Sequence, residues 1–206
     1  MLIDVNAGAD WRKLYQLCLG FINPRPIALV STVSAAGHLN LAPFSFYNMV
    51  SANPPVVMFC PSVRRDGLDK HTFDNVRATG QFVVATVTEA IAEPMVACGV
   101  DLPAGENEFD FSGLTPIPAA HIKAPLVKES PVNIECTLRQ IITLSEAPGG
   151  GRIVLGDIVA AHIADWILDA EGLVDAHKLR TVGRLGGKGY TTVTDPYDLA
   201  LPTRRA

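Results

Sequence analysis

Apolar residues recur at helical spacing near the start of the chain, at Trp11, Leu14, Tyr15, Leu17 and Cys18. Asp10 is placed to cap that helix, Gly20 to stop it, and Pro24 and Pro26 bar its continuation. The pattern then changes to runs of β-branched and apolar residues. Ile27 to Val33 predicts a buried strand, Ala36-Gly37-His38 a tight turn, and Leu41 to Val50 an antiparallel partner strand. Pro54-Pro55 breaks the chain before a third strand, Val56 to Cys60. A helical segment from Asp69 through Ala78 closes at Gly80, and Gln81 to Val87 returns to strand. Glu89 to Cys98 predicts a short helix. Val132 to Leu144 and Ile153 to Ile167 predict long strands, with Gly149-Gly150-Gly151 as a flexible hairpin tip between them.

Between Gly99 and Pro125 the composition shifts to Pro, Gly, Asp and Glu. An excursion of that length covers something or touches a partner. Five or six strands with antiparallel turns and only short helices imply a barrel or sandwich, and 206 residues fit a single domain spanning 1–206.

Composition narrows the function. The chain is 48% hydrophobic and 18% charged with a formal net charge of −4, which fits a packed globular protein and argues against a general nucleic-acid binder. No apolar run approaches the roughly 20 residues of a membrane span, and the acidic start MLIDVNAGAD lacks the order of a secretory signal, so a cytoplasmic location is expected. Cys18, Cys60, Cys98 and Cys136 are widely spaced and lie in or beside apolar stretches, which predicts buried free thiols. The five histidines are scattered, with no metal-ligand spacing, so no metal site is expected. Gly183 to Gly189 contains a Gly-Lys pair, but Val182 stands where a P-loop needs Gly and Gly189 where it needs Ser or Thr. Neither that stretch nor the glycines at 149 has the GxGxxG spacing, and no GxSxG elbow is present.

Chemistry concentrates between Asn23 and Thr72. Asn23-Pro24-Arg25-Pro26-Ile27-Ala28-Leu29-Val30-Ser31-Thr32, Asn40-Leu41-Ala42-Pro43-Phe44-Ser45-Phe46, Ser51-Ala52-Asn53-Pro54-Pro55 and Lys70-His71-Thr72 follow one another in order. Gly80-Gln81-Phe82-Val83-Val84, Glu108-Phe109, Glu135-Cys136 and Arg184-Leu185-Gly186-Gly187 with Tyr190 continue the series. Together they resemble the flavin reductase-like, FMN-binding split-barrel family across nearly the whole chain. The resemblance implies a mainly β, antiparallel, Greek-key-like split β-barrel with a few short peripheral helices. It further implies FMN held near the interface of a homodimer, and NADH or NADPH as electron donor. A partner oxygenase or redox protein would receive the reduced flavin.

These residues suit an FMN site physically. A phosphate needs cations and N–H or O–H donors. Arg64, Arg65, Lys70 and Thr72, with Ser62 just upstream, gather such groups in an otherwise acidic chain. By similarity Lys70 and Thr72 fall at phosphate-contacting positions, with Ser62 and Arg64 as neighbours; the competing reading is a solvated basic turn before a capped helix. An isoalloxazine ring needs donors at its edge and apolar cover on its faces. Asn40, Ala42, Pro43, Phe44 and Ser45 can supply both if Pro43 interrupts strand pairing and frees nearby N–H groups. Otherwise Pro43 marks an edge, and Phe44 and Phe46, pointing to one face of a regular strand, fill the core. Ser31 and Thr32 are cofactor neighbours by analogy only. Glu135, beside Cys136 in a strand, is expected to be partly buried and structural, and to need a partner.

No catalytic acid or base is named, because a bound flavin carries the chemistry and the protein positions the reacting rings. Three functions stay open: an NAD(P)H:flavin oxidoreductase, an electron carrier without nicotinamide turnover, and a flavin enzyme acting directly on an organic substrate. His71 departs from the Asp that members of the resembled family commonly carry between the Lys and the Thr. It replaces a carboxylate beside the expected phosphate with a group that titrates near neutrality. FMN affinity should therefore weaken modestly as His71 loses its proton. A dissociation constant that stays flat from about pH 5.5 to about pH 8 would count against this.

Overall fold

The computed structural model describes residues 1–102 and 106–202; positions 103–105 of the predicted excursion lie outside them. Helix α1 (Trp11–Phe21) starts where expected, the Asp10 carboxylate accepting the Arg12 N–H at 2.9 Å, and runs one residue past Gly20. Strands β1 (Arg25–Pro26), β2 (Ala28–Val33) and β3 (Leu39–Phe44) follow, with Gly37 in the turn at φ 89°. The single strand expected from Leu41 to Val50 is two strands: β3 ends at Phe44, and β4 (Tyr47–Ala52) begins after Ser45 and Phe46. β5 (Pro55–Phe59) folds back on β4. Helix α2 (His71–Thr79) ends on Gly80 in the left-handed region at φ 69°, and β6 (Gln81–Thr86) leaves from it. Short helices α3 (Ala92–Ala97) and α4 (Glu108–Ser112) and the small strands β7 (Pro116–Ile117) and β8 (Leu126–Val127) lead to the long hairpin of β9 (Val132–Thr143) and β10 (Arg152–Ile163). Helix α5 (Ala176–Leu179) and the hairpin of β11 (Val182–Arg184) and β12 (Tyr190–Thr192) complete the order.

Seven strands form one antiparallel sheet in the order β3-β2-β6-β9-β10-β5-β4. Its two edges, β3 and β4, are consecutive in sequence and joined only by Ser45 and Phe46. So short a link brings opposite edges together, and the sheet closes into a barrel with a seam that carries no ladder. This is the mainly β split barrel. Of the glycine-rich 183–189 stretch, Gly183 and Arg184 end β11 and the rest is the turn of the β11–β12 hairpin, which pairs with β1. Among the described residues no helix is long and apolar enough to cross a membrane.

Ala28, Val30, Phe44, Phe59, Phe82 and Val84 fill the barrel, with Phe59 lying 5.1 Å from Phe44 and 5.2 Å from Phe82 between ring centres. Phe73 and Val76 of α2 plug one end. Gly156 is required here, because a Cβ on it would overlap the Phe82 ring. Leu29 and Leu41 face outward under Met95, Cys98 and Phe109 of the α3–α4 layer. Two of the thiols are buried as expected, Cys98 and Cys136, and burial pushes them up to about 11 and about 12. Cys18 and Cys60 are only half-buried, against expectation. The triple glycine is not a loose tip either: the Gly149 N–H donates to Val63 O, the Val63 N–H donates to Gly150 O, and Gly149 abuts the Trp11 ring.

The segment after α4 is held to the sheet by buried polar side chains. Glu135, fully buried on β9, accepts the Ala120 and His121 N–H groups at 2.8 Å each and sits 2.6 Å from His162 Nε2. Asn133 bonds both the N–H and the carbonyl of Val127, and Gln81 Oε1 accepts the Lys123 N–H. Burial alone would raise the Glu135 carboxyl, but the His162 bond and the two N–H groups outweigh it and hold the group below the usual range. A carboxyl lowered in the folded state contributes stability above its unfolded pKa, about 4.3, and that contribution is lost as pH falls through the lower folded value. Glu135→Gln should cost about 2 kcal/mol at neutral pH and flatten the acid limb of the stability curve. Urea midpoints matching the parent at both neutral and acid pH would refute the role.

Candidate functional site

Residues 62–72 run from β5 to the start of α2, and this start is the most donor-rich point of the predicted site. Lys70 occupies the N-cap without making a side-chain cap. The Phe73 and Asp74 N–H groups turn back to Lys70 O at 2.9 and 3.1 Å, while those of His71 and Thr72 precede the helical ladder. Thr72 is buried, and its Oγ1 accepts Asn40 Nδ2 at 2.9 Å; Thr32 Oγ1 accepts Asn75 Nδ2 at 3.1 Å. These two bonds fasten α2 over the mouth of the barrel, so Thr32 and Asn40 are committed to the fold at these atoms. Ser31 is also fully buried, and its Oγ has no partner among the described residues.

The Asn40–Ser45 strand differs from expectation in one respect. The Leu41 N–H donates to Glu108 Oε2 at 2.9 Å, so the odd-numbered residues of β3 turn their backbone groups to the open edge. Pro43 has the same parity, and its missing N–H falls where no ladder bond is due. Pairing continues through it, from Leu29↔Pro43 to Ala28↔Phe44. Pro43 therefore marks an edge and does not interrupt the strand. Ala42 and Phe44 face the barrel interior, and Phe44 belongs to the core. Phe46, beyond the break, faces outward and meets Tyr15 edge-on at 6.5 Å. Ser45 Oγ lies 3.4 Å from Arg25 Nε.

Asn40, Arg64 and His71 meet in a cleft of about 640 Å³ between the β2–β3 turn, the start of α2 and α4. Lys70 and Thr72 adjoin it in sequence; Ser31, Thr32, Ala42, Pro43, Phe44, Ser45 and Ser62 do not line it. Asp74 of the first turn of α2, Asp101 and Glu108 line it too. Arg64 is already paired, 3.1 Å from Asp66 and 3.7 Å from Asp101. Ser62 forms a bridge with Gly151 of the hairpin tip.

Two arginines gain weight in the structure. Arg152, the first residue of β10, pairs with Asp69 and stacks 4.8 Å from the Phe73 ring centre, fixing the residue before Lys70. Nothing in its sequence neighbourhood signals that contact across 83 positions. Arg25 is buried and donates to Leu19 O, Ile22 O and Leu185 O at 3.0, 2.7 and 2.9 Å, which ties the end of α1 to the β11–β12 turn. Burial lowers its pKa, and neighbouring Arg184 adds to that. The Asn-Pro-Arg-Pro motif flagged its position but not its task.

Residues 21–182 match the model of the flavin reductase like domain, and the chain belongs to that family. It is 42% identical over 181 residues to a protein of Aquifex aeolicus, covering 88% of this chain and 90% of the relative. Nitrilotriacetate monooxygenase component B from Bacillus cereus superposes with a TM-score of 0.89 at 32% identity, covering 97% of this chain and 98% of the other. The 2-nitrobenzoate 2-nitroreductase NbaA of Pseudomonas fluorescens gives 0.88 at 33% identity, covering 100% and 98%.

The bond between Asn40 and Thr72 predicts a cost when it is removed. Thr72→Val strands a buried amide N–H and should destabilise the fold by about 1–2 kcal/mol. A urea midpoint within error of the parent would mean the bond contributes nothing.

Proposed function

We propose that this member of the flavin reductase-like family binds FMN and oxidises NADH or NADPH to reduce it. The start of α2 carries the proposal. A nine-residue helix presents its positive end there, with the His71 and Thr72 N–H groups and the Lys70 ammonium beside it. Thr72 Oγ1 accepts from Asn40, which leaves its own hydrogen free to donate. These groups fit a phosphate. In this reading Lys70, His71 and Thr72 hold it, with Ser62 and Arg64 alongside. Arg64 contributes less than its charge suggests, because Asp66 and Asp101 already engage it. The edge of β3 near Ala42, Pro43 and Ser45 faces the ring, while Phe44 acts from the core and Thr32 through α2. The orphaned Ser31 hydroxyl, fully buried, marks a polar group near the same strand pair without a protein partner.

FMN, when bound, supplies a hydride-accepting N5 that can pass electrons onward. The protein's work is binding and orientation, and no side chain is assigned a proton-transfer role. A homodimer with the flavin near its interface agrees with the exposed apolar residues on α1 and β4, among them Trp11, Tyr15, Met49 and Val50. The likeness to a monooxygenase component B supports a partner oxygenase as acceptor. The likeness to a 2-nitrobenzoate 2-nitroreductase favours a second reading, in which an organic substrate is reduced directly.

The visible spectrum of the purified protein with added FMN, followed by anaerobic NADH and then NADPH, tests these readings together. Flavin bands that bleach with one nucleotide, and steady nucleotide consumption with excess FMN, are expected. A bound flavin that neither nucleotide reduces would point to an electron carrier, and no flavin uptake at all would end the proposal. Lys70→Ala should raise the FMN dissociation constant about tenfold while leaving the urea midpoint in place.

A further inference from the structure

After β12 the last backbone bond to the body among the described residues is the Val193 N–H donating to Thr181 O at 2.9 Å. Residues 194–202 then run without helix or strand. Along them Tyr197, Leu199 and Leu201 alternate with Asp198 and Ala200, and they are 80%, 82% and 92% exposed. Apolar side chains at every second position, bounded by Pro196 and Pro202, form an extended segment with one face suited to burial. In the single chain that face meets nothing.

A second open surface lies close to where the tail leaves the body. β11 pairs with both β12 and β1, and β1 follows directly on α1. α1 is an 11-residue helix without one fully buried residue. Its Tyr15 meets Phe46 at the seam, and Met49 and Val50 on β4 are half exposed. β4 is also the uncovered edge of the sheet. Charge matches as well: Arg12 and Lys13 on α1 are exposed, as are Asp195 and Asp198 on the tail. None of the four is in an ion pair among the described residues.

We propose that residues 194–202 form an arm that docks on the α1–β4 face of a second copy of this chain. Tyr197, Leu199 and Leu201 would cover Tyr15, Phe46, Met49 and Val50 of that copy, and Asp195, on the same face of the arm, would approach its Arg12 or Lys13. Fully extended, the arm reaches roughly 30 Å, enough to cross an interface. Both surfaces stay open within one chain. A two-fold pair closes them reciprocally, each copy giving one arm and one face. The inference rests on the homodimer reading and adds the segment that holds it.

Sedimentation velocity over a dilution series, comparing the full chain with a Tyr197→Ser, Leu199→Ser, Leu201→Ser variant, tests it. The variant should fold, because these side chains touch nothing in their own chain, and circular dichroism checks that. Its self-association should be weaker by at least about a hundredfold, because three apolar side chains are lost from each of the two arms and full burial of even two is worth that much. An unchanged midpoint would overturn the arm and leave the homodimer standing; a full chain that is monomeric throughout would overturn both. Chymotrypsin gives an independent measure. Cleavage after Tyr197 and Leu199 of the parent should be slower above the association midpoint than below it, and equal rates would refute the arm.

Discussion

The closure of the sheet at Ser45 and Phe46 is the constraint on which the remaining architecture depends. Two residues join β3 to β4, yet these strands occupy opposite ends of the seven-strand order. The sheet must curl until its edges meet, and the interior it creates is small enough for Phe44, Phe59 and Phe82 to fill. Curling also leaves two unpaired strand edges, which a soluble protein has to manage. One is handled internally: Glu108 of α4 takes the Leu41 N–H, and Pro43 removes the next donor on that side. The other, β4, is softened only by a register shift between Met49 and Ser51 and keeps its apolar side chains exposed. The asymmetry between the edges is why one face of the barrel is finished within the chain and the opposite one is not.

Hydrophobic burial alone does not hold the outer layer. The segment leading from α4 into β9 buries Leu114, Leu126 and Val127, but it is rich in Pro and has only the short β7–β8 ladder of its own. Its N–H groups instead end on acceptors that the sheet provides, namely Glu135, Asn133 and Gln81. A buried carboxylate is costly unless its oxygens are bonded, and here two N–H groups and His162 bond both of them. The result is directional. A layer pinned by hydrogen bonds has one register against the barrel, whereas an oily layer could slide.

Much of this was legible in the residues. The helix at Trp11, the strands around Val30, Phe82 and the β9–β10 hairpin, and the glycine stop at position 80 all follow from periodicity and turn chemistry. The predicted strand from Leu41 to Val50 failed because apolar content continues through Ser45 and Phe46 while the backbone turns. A hydrophobic pattern records burial, and both halves of that stretch are flanked by apolar neighbours. Likewise the core role of Phe44 and the outward role of Phe46 were indistinguishable so long as one regular strand was assumed. Arg152 could not be read at all, since its meaning lies in Asp69 and Phe73, brought to it by the barrel and not by spacing.

Electrostatics then sorts the cations near the end of α1 and the start of α2. Arg25 donates to three carbonyl groups, Arg152 pairs through one Nη with Asp69 while its buried Nε has no partner among the described residues, and Arg64 pairs with Asp66 and Asp101. Each is an arginine, whose planar fork suits several fixed acceptors at once. Lys70 is different: it stands exposed at the N-cap of α2, in no ion pair among the described residues. Asp101 and Glu108 also line the cleft and Asp74 lies in the first turn of α2, so the backbone dipole and the Lys70 ammonium act there against nearby carboxylates. In the proposed reading an anion is drawn to that helix start by Lys70 and Arg65, exposed cations of the 62–72 segment that are in no ion pair among the described residues, more than by the already paired Arg64.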